Sequence, residues 1–526
     1  MNRVVSPAGL VAAAVSVPRL LPRVWWWRYV VPGVLAATLV TIASISVGHL
    51  PLSTSWLRWE SVMRLRSTSV GSFSSRAAIV AGLAILTQCW LALGVDIYDG
   101  AITDRDAGRL VGVMAAWCTP LLVCAPMFSR DTYSYYLQGR LMNAGYNPYT
   151  TGVDVLPDWF LNGADPIWSQ TPTPYGPLFL MIERAVAFIC GDNALLAAFA
   201  FRATALLGLW LTAWALIRIC RRTRKRTAAA IWLAVMNPLV LVNIACAGHN
   251  DMLMVAFLLW AWDLALVRRT FWSALALAAA VGVKPIALLA VPFLALAHLD
   301  IAPAPWPSLL TRVRSWVAMG ATSVGLLLLL SLLNGTGLGW VETIVAPTKL
   351  PSPLSVTYTL GVTMGHLFEW LAIMRFDVAA TIFKVAGLAT ALGIVGWMAN
   401  HHRRGTIIHR CAWAFAAVVV LSPTVHTWYL LWVVALAAAA GVRRRWLPVS
   451  IIAIVVLADV EIAGSGAIAD TYVDWLDQLT MVLAGLATIA VALSWKRERE
   501  LIMTLGDEPH TPVVNEAHHP HKIPQP

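Results

Sequence analysis

The run Ser129-Arg130-Asp131-Thr132-Tyr133-Ser134-Tyr135-Tyr136 sets a carboxylate beside a guanidinium where an apolar stretch ends, with aromatic residues following at helical spacing. A carboxylate fixed at such a point is suited to take a proton from an attacking hydroxyl, so Asp131 is the candidate general base. Arg130, Arg140 and Tyr133 share its segment and are candidate substrate contacts. The structural alternative is a helix N-cap at Asp131 and an interfacial belt of tyrosines. Against it stands the company: Trp159, Trp168 and Tyr175-Gly176-Pro177 crowd the same polar segment.

Three further groups carry polar chemistry into apolar surroundings. Gly248-His249-Asn250-Asp251 separates two apolar runs. Asn250 or Asp251 can cap the helix that follows, while an imidazole in an apolar turn needs a partner. Lys284-Pro285 breaks an apolar stretch, and a cation inside a membrane segment is a functional candidate by default, with snorkelling beside a proline kink as the alternative. His426 lies in Ser422-Pro423-Thr424-Val425-His426-Thr427-Trp428-Tyr429, where Trp428 and Tyr429 read first as belt residues. Asp104-Arg105-Asp106 has the spacing of a metal-binding pair in nucleotide-sugar enzymes, but no nucleotide-binding domain surrounds it, and it reads as a solvated loop. No metal is expected.

The elements that must position these residues are membrane helices. Of 526 residues, 59% are hydrophobic and 12% charged. That charge content is about half that of a soluble domain. Lipid leaves no backbone group to water, so apolar runs without two-residue alternation are helices. Candidate spans are 29–47, 77–95, 109–128, 194–219, 228–246, 251–267, 315–333, 379–399, 408–421, 428–440, 446–463 and 478–495. The stretch 271–298 is one bent span or two short ones, and 177–190 and 354–374 lie on the membrane or dip into it. The count is about 12–15. Residues 1–28 form a cytoplasmic lead, 29–497 the membrane domain and 498–526 a disordered cytoplasmic tail.

The net charge of +11 falls in short clusters between spans, at 221–226, 268–269, 312–314, 401–410, 443–445 and 496–499. Clusters of that kind mark the cytoplasmic side and argue against a nucleic-acid partner. They turn 129–176, 335–353 and 464–477 outward, the last with Asp470, Asp474 and Asp477 and no lysine or arginine. Arg58, Arg64, Arg66 and Arg76 run against this bias, and 48–76 can form a surface helix instead. Within 129–176 a short interfacial helix is expected from Thr132 to Ala144, closed by Gly145. The seven cysteines, in or beside apolar runs, read as small buried hydrophobes.

Ser-Arg-Asp-Thr-Tyr-Ser-Tyr at 129–135, Asn-Pro-Tyr at 147–149, Pro-Tyr-Gly-Pro at 174–177 and Gly-His-Asn-Asp-Met-Leu-Met at 248–254 resemble the actinobacterial α-(1→6)-mannopyranosyltransferases. The likeness runs from the third span through Lys284 and weakens toward the C-terminus. It implies a GT-C fold in the plasma membrane, with the active site on the extracytoplasmic face. It also implies a polyprenyl-phosphate-mannose donor and a lipid-anchored lipomannan acceptor, with no cofactor. The acidic residue of the first large outward loop maps onto Asp131. A phosphate leaving group would draw on Arg130, Arg140, His249, Lys284 and His426, with Asn250 and Asp251 beside them. The displacement would be single and inverting. A lipid-linked sugar flippase, or an arabinosyl- or glucosyltransferase of the same fold, is the competing reading.

Overall fold

The computed structural model describes residues 23–297, 307–343, 352–400, 407–441, 444–464, 485, 486 and 489. Every regular element among them is a helix. In chain order the first three are α1 (Arg23–Val47), α2 (Ser69–Tyr98) and α3 (Ala107–Leu121). Next come α4 (Asp131–Asn143), α5 (Pro177–Cys190), α6 (Ala194–Thr223) and α7 (Thr227–Val235). The middle of the chain gives α8 (Asp251–Leu266), α9 (Thr270–Val283) and α10 (Leu309–Asn334). The last are α11 (Val356–Trp370), α12 (Phe376–Asn400), α13 (Ile407–Leu421), α14 (Leu430–Ala440) and α15 (Leu447–Gly464).

Five of these, α1, α2, α6, α10 and α12, are long and apolar enough to cross a bilayer, and α7 with Pro238–Cys246, bent by 42°, makes a sixth. The apolar patterning points to about twice as many. The difference lies in the breaks: Asn237-Pro238 and Lys284-Pro285 end helices, because proline lacks the N–H that would continue them. The 14 residues of α9 rise only about 21 Å, short of a bilayer core of about 30 Å. The three aspartates of the 464–477 loop, most of the candidate span 478–495 and the 498–526 tail lie outside the described residues.

Packing in the bundle satisfies polar atoms locally. Trp90 on α2 and Trp232 on α7 stack with ring centroids 5.0 Å apart. Each indole N–H donates to the other residue's carbonyl, at 2.9 and 2.6 Å. In an apolar phase this closes two donors that have no water to turn to.

Charge separates the two ends of the helices. At one end Arg218 and Arg222 hold the buried Asp263 at 2.8 and 2.5 Å, joining the C-terminal parts of α6 and α8. The Arg268-Arg269 turn follows at that same end. Asp104, by accepting the N–H of Ala228 (2.9 Å), anchors the start of α7, and Asp106 closes a capping box with Thr103. That pair is structural. The opposite end of α8 begins at Asp251, about 24 Å away for a 16-residue helix, and there the remaining candidates gather.

Candidate active site

The centre is built by four chain returns to one end of the bundle. The first is α4, which begins at Asp131 as expected and ends before Gly145 in the left-handed region (φ 89°). Ten of its residues are buried, with Tyr135 against Tyr175, Phe179 and Phe201 at 4.9–5.4 Å. The start of α4 places Asp131 at the positive end of the helix dipole, a position that favours a carboxylate. Tyr135, one turn on, donates its hydroxyl to Asp131 Oδ2 at 3.3 Å.

The second return is the turn Gly248-His249-Asn250. Gly248 (φ 81°) approaches α4 so closely that a Cβ there would stand 2.7 Å from Thr132 Cγ2, so only glycine fits. The turn sets His249 Nδ1 3.2 Å from Asp131 Oδ2, within ion-pair reach though too oblique for a well-formed hydrogen bond. Nε2 of His249 and both polar atoms of the Asn250 side chain are buried without a protein partner. Buried polar atoms of that kind call for a ligand or a bound water.

The third return is the break after α9. Lys284 has extended backbone there, and its ammonium meets both oxygens of Asp251 at 2.8 and 2.7 Å. Trp432 donates its indole N–H to the same carboxylate at 2.6 Å. Rings of Tyr175, Tyr429 and Trp432 surround the ammonium at 5.7–5.9 Å. Asp251 is fully buried, so it neutralises and aims the lysine rather than meeting a substrate.

The fourth return carries His426. Its ring lies 4.3 Å from Trp428, which in turn stacks 3.9 Å from His249. Three aromatic rings thus form one pile behind Asp131. Trp428, read from the sequence as a belt residue, is the middle layer. Glu461 of α15 accepts the Thr427 hydroxyl and fastens this turn from below.

Electrostatics distinguishes the members. Burial opposes ionisation of Asp131, but His249, Lys284 and Ser129 outweigh it and hold the carboxyl down at about 2. A fifth of the side chain (20%) remains exposed, so an ionised oxygen can reach a substrate. Burial presses the His426 imidazole down to about 4 against the pull of Asp131, leaving it neutral near pH 7. His426 is therefore a hydrogen-bonding group, and the positive charge comes from Lys284 in its ion pair with Asp251.

Asp131, His249, Asn250, Asp251, Lys284 and His426 therefore meet in one place. Arg140 does not join them; it pairs with Asp158 at 2.6 Å and Asp192 at 3.6 Å near the far end of α4. Arg130 turns to His49, Nε to Nδ1 3.1 Å, and Tyr133 donates its hydroxyl to the His49 carbonyl at 2.6 Å. Those contacts pin the entry to α4.

Arg202 was not among the sequence candidates and has a central place. Fully buried on α6, its guanidinium donates to the carbonyls of Leu122 (3.3 Å), Cys124 and Cys246 (2.8 Å). It thereby ties the chain leading into Asp131 to the chain leading into His249. An arginine inside an apolar run was the available signal, as was Glu461 in another. Among the described residues no cluster of His, Cys, Asp and Glu could hold a metal ion.

Comparison with known proteins gives this arrangement a context. Residues 30–300 match the family described as alpha-(1->6)-mannopyranosyltransferase, N-terminal domain, and residues 357–495 match the MptB C-terminal domain. The chain is similar to alpha-(1->6)-mannopyranosyltransferase A of Mycobacterium tuberculosis, 30% identical over 431 residues that cover 78% of this chain and 80% of the relative. It is 27% identical to alpha-(1->6)-mannopyranosyltransferase A of Corynebacterium glutamicum, over 70% of this chain and 82% of that one. For alpha-(1->6)-mannopyranosyltransferase B of the same organism the identity is 26%, over 83% and 76%. No solved structure matches.

Proposed function

This chain belongs to the alpha-(1->6)-mannopyranosyltransferase family, and we propose that it moves mannose from a polyprenyl-phosphate donor to a lipid-anchored α-(1→6) mannan of the lipomannan type. The observation that carries the reading is an ionised, partly exposed carboxylate beside a lysine at the end of the bundle away from the arginine clusters. By the bias of basic residues, that end faces outward from the plasma membrane.

In this reading the acceptor hydroxyl attacks the anomeric carbon of mannosyl phosphate from the face opposite the phosphate. The C–O bond to the acceptor forms, the C–O bond to the phosphate breaks, and configuration inverts. Asp131 takes the acceptor's proton. The departing phosphate gains charge, which Lys284 meets with a preorganised ammonium. The negative charge of an arriving phosphate would also offset the field of Lys284 at Asp131. The base then rises from about 2 toward a value better suited to accept a proton. His249 and Asn250 offer their unpaired polar atoms to the sugar or the phosphate.

The test uses purified full-length protein in detergent, where no sealed membrane exists. Supplied polyprenyl-phosphate mannose and a mannoside acceptor should give a longer α-linked product. A donor panel separates mannose from arabinose or glucose. Absence of transfer from every lipid-linked donor, by protein that binds them, contradicts the proposal and returns the flippase reading.

A further inference from the structure

A cavity of about 440 Å³ opens beside α4 on the same end of the molecule. One wall is the segment Ser53–Arg58, and the other is Asp192 with the first turns of α6. Both walls are fastened to the segment that carries Asp131. Ser53 is bonded to Leu161 (3.1 Å) and Asn162 (3.0 Å), and the Tyr136 hydroxyl donates to the Gly191 carbonyl at 2.7 Å.

Its lining has the chemistry of a saccharide site. Ser55 offers a hydroxyl that can donate and accept, while Ser53, bonded to Asn162, can still accept and Thr54, accepting from Trp56, can still donate. Trp56 lies at the cavity, stacked on Trp59 at 6.0 Å and tilted against Phe199 at 6.3 Å, which gives a rigid apolar platform. Arg58 and Asp192 supply one charge of each sign, and the Asp192 side chain is almost wholly exposed. A phosphate would meet the Asp192 carboxylate unfavourably, and a lipid tail would strip water from the hydroxyls without replacing it. A neutral, hydroxyl-rich ligand meets neither penalty. The volume falls in the usual range of small-ligand sites, roughly 300–1,000 Å³.

Position decides which part of such a ligand is held. Tyr136 and Arg140, which face this side, stand five and nine residues beyond Asp131. At about 100° per residue that is on the opposite face of α4, roughly 7–14 Å further along the axis. The sugar in this cavity is therefore not the one under attack. We propose that the cavity holds mannosyl residues of the acceptor laid down earlier, behind the reacting end, and so reads acceptor length. The inference rests on the mannosyltransferase reading above.

The experiment measures kcat/KM of purified full-length protein with α-(1→6)-mannosides of two, four and six residues, for the parent, Arg58→Ala, Asp192→Ala and Asp131→Asn. Loss of one or two hydrogen bonds corresponds to about three- to tenfold in affinity. The expected result for Arg58→Ala and Asp192→Ala is a loss that grows with acceptor length, about tenfold larger for the hexamannoside than for the dimannoside and expressed in KM. Equal loss at every length, or none in either variant, overturns the proposal. So does a length dependence that stays intact while Arg58→Ala loses binding to vesicles of anionic phospholipid, which would assign the cavity to a lipid headgroup. Asp131→Asn separates the two readings. If it is inactive with all acceptors while the cavity variants behave as the parent, the cavity proposal alone fails. If it stays active, the catalytic reading fails on its own account.

Discussion

Lys284 and Asp251, 33 residues apart, form a bidentate ion pair at 2.8 and 2.7 Å, with the carboxylate fully buried and the ammonium still 15% exposed. The asymmetry gives the two residues different work. Asp251 keeps a charge in a low-dielectric place and aims it, and Lys284 presents that charge to whatever enters beside Asp131. A buried pair of this kind contributes little net stability, yet leaving one partner alone costs about 3–5 kcal/mol.

Asp251→Leu should therefore lower the melting temperature sharply, by stranding Lys284. The double variant Asp251→Leu with Lys284→Met should recover most of the lost stability and none of the activity. Thermal melts with parallel transfer assays check both. A double variant as unstable as the single one contradicts the split of roles.

Lys284→Met alone should lower kcat/KM by about 10²–10³-fold, the range seen when one preorganised group at a developing charge is removed. Lys284→Arg should restore part of this, since the charge returns without the same geometry. Steady-state kinetics with the lipid-linked donor is the measurement, and equal rates for Met and Arg would rule out a charge-based role.

The pH profile follows from Asp131. Its carboxyl, held at about 2 in the folded chain, lies below the usual aspartate value of about 3.9. The stabilisation this gives is fully present above about pH 4 and is lost as pH falls toward 2. In the free enzyme Asp131 is thus deprotonated throughout the working range. Asp131 should therefore contribute no acid limb to kcat/KM between pH 5 and 7. The acid limb of kcat, which reports the donor complex, should lie above the value of about 2 given for Asp131 here. A loss of kcat/KM on acidification that titrates as a single carboxylate with its midpoint near pH 5 would contradict this.

Arg202→Met should loosen the link between the chain entering Asp131 and the chain entering His249. Three carbonyls lose their donor. A fall in kcat larger than the rise in donor KM is expected, together with a lower melting temperature. A change confined to stability, with kinetics of the surviving protein unaltered, would make Arg202 purely architectural.

Much of the centre was legible in the sequence because it is polar where its surroundings are not. Asp131, His249 and Lys284 are conspicuous for that reason, and the helix expected at 132–144 appears as Asp131–Asn143. Arg140 was assigned to the site by proximity along the chain, although nine helical residues carry it half a turn away from Asp131. Arg202 and Glu461 were passed over inside runs read simply as spans. Partnerships were less accessible. Asp251 looked like a helix cap, and its bond to Lys284 depends on how the chain returns after α9. Helix ends were less legible, because proline and charge divide apolar runs into shorter helices, as in Thr227–Val235 and Pro238–Cys246, bent by 42°.

The central claim is that Asp131 is the base, and Asp131→Asn tests it most directly. The substitution keeps shape and removes the proton acceptor. Initial rates of mannose transfer from polyprenyl-phosphate mannose, measured with normally expressed, donor-binding protein, should fall by about 10²–10⁴-fold. Donor affinity should be changed little. A rate equal to that of the parent would show that the proton leaves by another route and that this carboxylate is only a helix cap.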